Sequence, residues 1–320
     1  MVLKNEEKKR CPRCKSGRVK LNGKSNQGKQ RYQCLECKKT YLWQHKKSVN
    51  ERRYLWFKDW ILEGFTIKQL SRIHKVSCST VSRAIHYWLK KEPPREEQLG
   101  GIKHIILDGT YINHRSGLYV VMNADTRSII YGDYGISETG KHLKILYDKL
   151  QQEGLNPLTA TIDGALQQFK YLTDSWENIK IQRCLVHIQR QGLSWLRKKP
   201  KRKESIELRK LLLQVMYIKT KQESEKFIKG FHLWEERFGK QLSLSTNRGR
   251  VFSDLLRARA MILNALPYMF SYLEYPNIPR TTNALEGYFG RLKQKYRVHK
   301  GLSPKKRKSY FRWYLFLKPI

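Results

Sequence analysis

Lys103-His104-Ile105-Ile106-Leu107-Asp108-Gly109 is an apolar run that ends at an aspartate and a glycine, and Thr159-Ala160-Thr161-Ile162-Asp163-Gly164 repeats the device. Short aliphatic and β-branched runs of this length, ending at glycine, read as buried strands. A carboxylate at the carboxyl end of each sits where an α/β sheet presents its ligands. Two such ends on adjacent strands would hold both aspartates within reach of one divalent cation. Between them, Leu118 to Met122 reads as a strand, Asn123 to Arg127 as a turn and Ser128 to Tyr131 as a strand closing at Gly132. A helix from Glu138 to Gln152 places Leu143, Leu146 and Leu150 at helical spacing and ends at Glu153-Gly154. After Asp163 the pattern predicts a helix over Ala165 to Leu172 and a short strand over Ile179 to Ile181. The order is three strands, helix, strand, helix, strand.

The 320 residues suffice for two or three domains. With 65 Lys and Arg against 27 Asp and Glu, a net charge of +38 and 12% aromatic residues, this reads as a folded basic protein whose partner is a polyanion, namely nucleic acid, double-stranded DNA included, with a solubility device or anionic-lipid binding as the bland alternative. No apolar run long enough to span a bilayer and no signal-peptide pattern is present, so neither a membrane nor a secretory destination is expected. A reducing cytoplasm follows, and there paired CxxC motifs favour zinc over disulfides. Cys11, Cys14, Cys34 and Cys37 are so paired, and residues 11–43 read as a zinc ribbon, a closed structural site that supplies stability so short a segment lacks. Lys15, Arg18, Lys20 and their neighbours, with Tyr32, Tyr41 and Trp43, make it basic and aromatic, suited to phosphate contact or simply a solvated charged face.

Next, Glu51 to Glu63 reads as a helix stopped by Gly64; Thr66 can cap a second helix and Ser77 a third, with Val81, Ile85 and Trp88 inward. This is helix-turn-helix spacing, and Ser79, Thr80, Ser82, Arg83 and His86 on the outward face of the third helix can reach base edges. Lys90 to Gly100 reads as a linker. Cys184 and His187 precede a helix over Ile188 to Arg197 and are either core residues or a functional pair. From Glu204 to Leu273 the patterning is helical, and Phe227, Phe231, Trp234 and Phe238 form a stripe explained by packing. Beyond Pro279, Thr281, Thr282 or Asn283 can cap a helix that carries Glu286 near its start, as a third carboxylate or as a capping residue. Arg291, Lys293, Lys295 and Arg297, then Lys300 and Lys305 to Lys308, follow among Tyr296, Tyr310 and Trp313, a run suited to DNA lying across the active face.

Leu107-Asp108-Gly109-Thr110, Ile162-Asp163-Gly164, Cys184-Leu185-Val186-His187 and Thr281-Thr282-Asn283-Ala284-Leu285-Glu286-Gly287 together resemble the Mutator-like group of bacterial insertion-sequence transposases. That resemblance covers most of the chain. It implies an RNase H-like α/β catalytic core with an all-helical insertion, in a multidomain α+β protein that begins with the zinc ribbon and the helix-turn-helix domain. Asp108, Asp163 and Glu286 would be its DDE triad, Cys184 and His187 its Cys-x-x-His signature, and the protein a homo-oligomer on DNA at the nucleoid. The implied partition is 1–47 ribbon, 48–92 helix-turn-helix, 93–101 linker, 102–187 first part of the core, 188–279 helical insertion and 280–320 the returning core helix and basic tail. Two Mg²⁺ or Mn²⁺ ions roughly 4 Å apart would activate the attacking oxygen and stabilise the leaving oxygen of an in-line displacement, and three carboxylates suit such hard cations. The same site would cut a transposon end and join it to target DNA. A DNA-binding regulator that keeps the core as a remnant, or a nuclease without strand transfer, are the alternatives; three intact carboxylates argue against a remnant.

Overall fold

The computed structural model describes residues 10–26, 28–42, 46–94, 99–113, 116–135, 141–246 and 249–318. Trp43, the linker centre and the expected start of the Glu138 helix lie outside them. The chain opens with a three-stranded antiparallel sheet, β1 (Val19–Lys24), β2 (Gln30–Cys34) and β3 (Thr40–Leu42). Three helices follow, α1 (Lys46–Leu62), α2 (Ile67–Ile73) and α3 (Cys78–Leu89). Their ends are set locally. Thr66 accepts the Gln69 N–H while the Gln69 side chain accepts the Thr66 N–H at 2.8 Å, a reciprocal cap. Ser77 accepts the Thr80 N–H at 3.2 Å in the same way.

Next come β4 (His104–Asn113), β5 (Ser116–Asn123), β6 (Ile129–Tyr134), α4 (Lys141–Gln152), β7 (Thr159–Ile162), α5 (Leu166–Ser175) and β8 (Lys180–Arg183). The five strands form one sheet in the order β6-β5-β4-β7-β8. β4, β5 and β6 are an antiparallel meander, and β7 and β8 run parallel to β4. Alternation along β4 sends Ile105 and Leu107 into a core with Leu143, Leu146 and Leu172, and Ile106 into the core on the opposite face.

Two strand ends differ from expectation. β4 does not stop at Asp108-Gly109, because its hairpin with β5 continues through Thr110↔Leu118 and Tyr111↔Gly117. Nor does β6 close at Gly132; a Cβ there would lie 2.2 Å from Leu315 Cδ1, so the glycine is the notch into which the C-terminal helix docks.

The chain then builds α6 (Leu185–Leu196), α7 (Lys203–Gln214), α8 (Lys221–Trp234), α9 (Lys240–Leu244) and α10 (Arg250–Ala265). These share a separate core in which Leu208, Phe227, Phe231, Trp234 and Ile262 are buried. The segment after α10 returns along β8, where Ser271 Oγ donates to the Ile181 carbonyl at 2.8 Å and Gln182 Nε2 to the Met269 carbonyl at 2.8 Å. From there α11 (Asn283–Tyr296) and α12 (Pro304–Leu317) lie on the Ile106 face of the sheet.

The linker does not mark a break in packing. Phe57, Trp60, Ile61 and Ile85 from the first three helices share one core with Ile106 and Val120 of the sheet and with Tyr288, Tyr310, Phe311 and Trp313. Trp313 Nε1 donates to the Trp88 carbonyl at 3.1 Å and to the Lys91 carbonyl at 2.9 Å, tying the end of α3 to α12. Tyr296, Tyr310 and Trp313, expected to lie along DNA, are instead interior, because helical spacing puts them on the inner faces of α11 and α12 while the lysines point out.

His299 is buried at the same seam, its Nε2–H donating to the Trp60 carbonyl at 3.0 Å, and burial pulls its pKa down to about 4. An unfolded histidine takes its proton near pH 6.5, so as pH falls from about 6.5 towards 4 the unfolded chain binds a proton the folded one refuses, and stability is lost. His299→Gln keeps an N–H donor for Trp60 without titrating. Denaturation midpoints between pH 7 and pH 4 should therefore fall more steeply for the wild type than for this variant; parallel slopes would remove His299 as a source of acid sensitivity.

Candidate active site and metal centre

Each CxxC of the first sheet forms a knuckle. Lys15 and Lys38, the residues after the second cysteine of each pair, adopt left-handed backbones at φ 62° and 58°. Those turns bring Cys11 Sγ to 3.5 Å from Cys37 Sγ and Cys14 Sγ to 3.5 Å from Cys34 Sγ, and all four sulfurs lie within 4.8 Å of one another. These are thiols, too far apart for disulfides and spaced as a tetrahedral zinc site requires. Although burial opposes it, N–H groups of Cys14 and Arg13 hold the Cys11 thiol down at about 6, favouring the thiolate a metal needs.

The second site lies at the carboxyl end of β7. The parallel register pairs Ile106 with Thr161, and two residues further along each chain stand Asp108 and Asp163. Alternation puts Asp108 on the face that carries α11, and Asp163, just past the end of β7, is close enough for its charge to act on Asp108 and His187. Asp108 is buried, its Oδ1 accepting the Gly109 N–H at 2.8 Å, and its pKa is pushed up to about 7. Burial is the largest cause; His187 opposes it and the charge of Asp163 adds to it.

Cys184 caps α6 and His187 lies in its first turn, rather than ahead of the helix as the sequence pattern suggested. Cys184 Sγ accepts the Thr282 N–H at 3.3 Å, and Thr282 Oγ1 lies 3.4 Å from His187 Nδ1. Thr282 therefore does not cap α11 with its side chain, which is spent on α6 instead. The hydrogen bond of Cys184 pushes His187 up to about 9 against the opposing effect of burial, with Asp108 and Asp163 adding to the rise. Burial alone would raise the Cys184 thiol, but His187 brings it below its ordinary value. His187 Nε2 then stands 3.3 Å from Glu286 Oε1 in the first turn of α11. Arg190, one turn along α6, grips the same carboxylate with Nη1 and Nη2 at 3.2 Å each.

One buried cation faces Asp163. Arg183 ends β8, its Nη1 donating to the Gly164 carbonyl at 3.2 Å, its Nε lacking a hydrogen-bond partner and its charge interacting with Asp163. A Cβ on Gly164 would lie 1.7 Å from Arg183 Cζ, and Gly164 holds φ 104°. Both reasons make the glycine after Asp163 obligatory.

Asp108, Asp163 and Glu286 thus share one locality, linked through His187. They are not gathered at ligand spacing, since the four cysteines are the only such group among the described residues. Arg183 and Arg190 escaped the sequence reading, and Thr282 is expected there only as a candidate cap of the helix that carries Glu286. Only the spacing of Arg190, three residues after His187, hinted at a shared helix face. Of the expected DNA-contacting residues, Ser79, Arg83 and His86 are exposed on α3, whereas Thr80 and Ser82 are half-buried. Arg291, Lys293 and Arg297 are exposed; Lys293 Nζ reaches Thr110 Oγ1 at 2.6 Å, and Lys295 pairs with Glu63 at 3.2 Å.

Two outcomes follow from this geometry. Metal analysis of the purified chain should return one zinc per chain, lost in Cys34→Ser, and a metal-free preparation with wild-type stability of the first sheet would contradict the site. Gly164→Ala should lower stability by about 1–3 kcal/mol through a strained backbone, and adding Arg183→Ala should recover only part of the loss, as read by thermal melting; complete recovery would leave the clash as the sole cost.

Comparison with known families gives two matches. Residues 9–38 match the InsA N-terminal domain, a zinc ribbon, and residues 74–306 match the model described as transposase, Mutator family. Comparison with curated proteins finds no match. No helix among the described residues is long and apolar enough to cross a membrane. The second family match spans well over half of the sequence, and the chain belongs to the Mutator family of transposases.

Proposed function

We propose that the chain is a DDE transposase that binds the ends of its own insertion sequence and carries out metal-dependent cleavage and strand transfer. The observation that carries this reading is that Asp108 on β4 and Asp163 just past the end of β7 each stand two residues beyond the paired Ile106 and Thr161, with Glu286 tied to the same His187 that feels both aspartates. The five-stranded order with an antiparallel meander supports an RNase H-like core, and α6 to α10 with their separate core support an insertion between the second aspartate and the glutamate. The caps at Thr66 and Ser77 support a helix-turn-helix, with α3 as the helix that reads an end in the major groove.

The donor set fits Mg²⁺ or Mn²⁺: three carboxylates offer hard oxygens, and the pKa of Asp108, raised chiefly by burial with the charge of Asp163 adding to it, is one that a bound cation would lower. Asp108, Asp163 and Glu286 would hold the ions, which when bound activate the attacking oxygen and neutralise the leaving one. The protein's own groups set the conditions. Asp108 must shed a proton it holds at about pH 7, and His187, positive at neutral pH, stabilises the anionic form. Glu286 must leave Arg190, whose exposed guanidinium is then free for a phosphate. Arg183 holds the Gly164 turn that aims Asp163.

Two ends must be brought together for joining, which implies a homo-oligomer on DNA, acting at the nucleoid in the cytoplasm. Asp108→Asn keeps the shape of the side chain but removes a charge. End binding should survive in a gel shift, whereas Mg²⁺-dependent cutting and joining of the same end fragment should fall by about three orders of magnitude, the several kcal/mol expected of a lost metal ligand. If Asp108→Asn cuts and joins as the wild type does, the triad is not the engine and the regulator reading takes over.

A further inference from the structure

We propose that the amino-terminal turn of α12 is part of the DNA-reading surface of α3, so that Lys305 and Lys306 grip the phosphate backbone beside the groove that α3 enters. This rests on the reading of α1 to α3 as the end-binding unit. Lys306 Nζ lies 3.1 Å from His86 Nε2, although 220 residues separate them in sequence. His86 is on the outward face of α3 and exposed, as are Ser79 and Arg83 on the same helix and Ser303, Pro304, Lys305 and Lys306 on α12. A groove that receives Ser79 and Arg83 would therefore present its flanking phosphates to two lysines from the far end of the chain.

The relation between the two helices is rigid. Trp313, one face further along α12, is buried against Tyr54, Phe57 and Trp88 and donates to two carbonyls at the carboxyl end of α3. The lysines are thus held in place before DNA arrives, which lowers the entropy cost of each contact. No acidic residue occurs between Thr66 and Lys91, and none occurs between Gly287 and Ile320, so neither segment carries an acid of its own to repel a phosphate.

The remaining cations of the same run are differently employed. Arg307 donates to Tyr134 Oη at 3.2 Å and to the Leu302 carbonyl at 3.2 Å, and Lys308 pairs with the buried Asp133 at 3.0 Å. Lys306 lies against the His86 imidazole, whose pKa is lowered first by burial and further by Lys306 and Lys90. The neutral ring accepts from the lysine and orients it. Ser303 makes no side-chain cap at the start of α12, so its hydroxyl does not take up the N–H groups of the turn that carries the two lysines. The basic run is accordingly divided, with Lys305 and Lys306 serving the end-binding surface and Lys293, hydrogen-bonded to Thr110 of β4, remaining beside the carboxylates.

The test is fluorescence anisotropy of full-length protein on a duplex carrying the end of its own gene and on a scrambled duplex, over a salt series without divalent metal. Each phosphate contact contributes about 0.9 to the slope of log K against log salt. Lys305→Ala with Lys306→Ala should reduce that slope by about 2 and weaken binding to both duplexes by the same factor, leaving their ratio unchanged. Arg83→Ala should instead narrow the ratio. Both lysines are exposed, and a matching thermal melt checks that the double variant folds; Lys306→Gln, which keeps the stem, should reduce the slope by about 1. An unchanged slope in the folded double variant overturns the composite surface while leaving the end-binding reading intact. A wild type that shows no salt-dependent binding to either duplex overturns both.

Discussion

Burial of one face of α12 between the sheet and the first three helices is the constraint on which the rest of the molecule depends. Tyr310, Phe311, Trp313 and Tyr314 are all interior there, and Leu315 fills the notch at Gly132 of β6. At about 1.5–3 kcal/mol for each buried large apolar side chain, these four alone contribute an amount comparable to the whole net stability of a domain. The same burial seats α11, whose Tyr288 and Leu285 pack in that core, and so decides where Glu286 stands relative to the aspartates. Asp133 completes the seam, a buried carboxylate between Lys308 and Arg312, with Arg312 reaching on to Glu92 at 2.8 Å. Such pairs add less stability than geometry, since desolvation offsets most of their attraction.

At the carboxylates charge is shared around a cluster rather than matched in isolated pairs. Among the described residues, His187 and Arg183 are the cations that act on Asp108 and Asp163, and Glu286 has His187 and Arg190. His187 is the hinge of this arrangement, held through Thr282 and Cys184 to α11 on one side and to the end of β8 on the other. Burial raises Asp108 while its acidic neighbours and Cys184 raise His187, and perturbed groups of this kind cluster where ligands bind.

Much of this was legible in residues close together in the chain. The paired CxxC knuckles, the caps at Thr66 and Ser77, the meander and the helix and strand order after Asp163 depend on contacts across a few residues, and their patterns are written in composition and period. The two Asp-Gly steps drew attention for a sound reason at Asp163, where Gly164 must bend the chain and clear Arg183, and for an incomplete one at Asp108, where the strand runs on.

Most elements, apart from strand ends such as those of β4 and β6, and the four clustered cysteines could be picked out from residues near one another in the chain, which also offered Asp108, Asp163 and Glu286 as candidate carboxylates. Tertiary structure alone decided that Thr282 turns from its own helix to Cys184 and His187 across 98 and 95 residues, that Arg190 holds Glu286, that the tail aromatics are core, and that Lys306 lies against His86. The physical reason is range: caps, turns and periods are settled by neighbours within a helical turn, whereas these contacts exist only because burial of distant apolar faces brings their helices together.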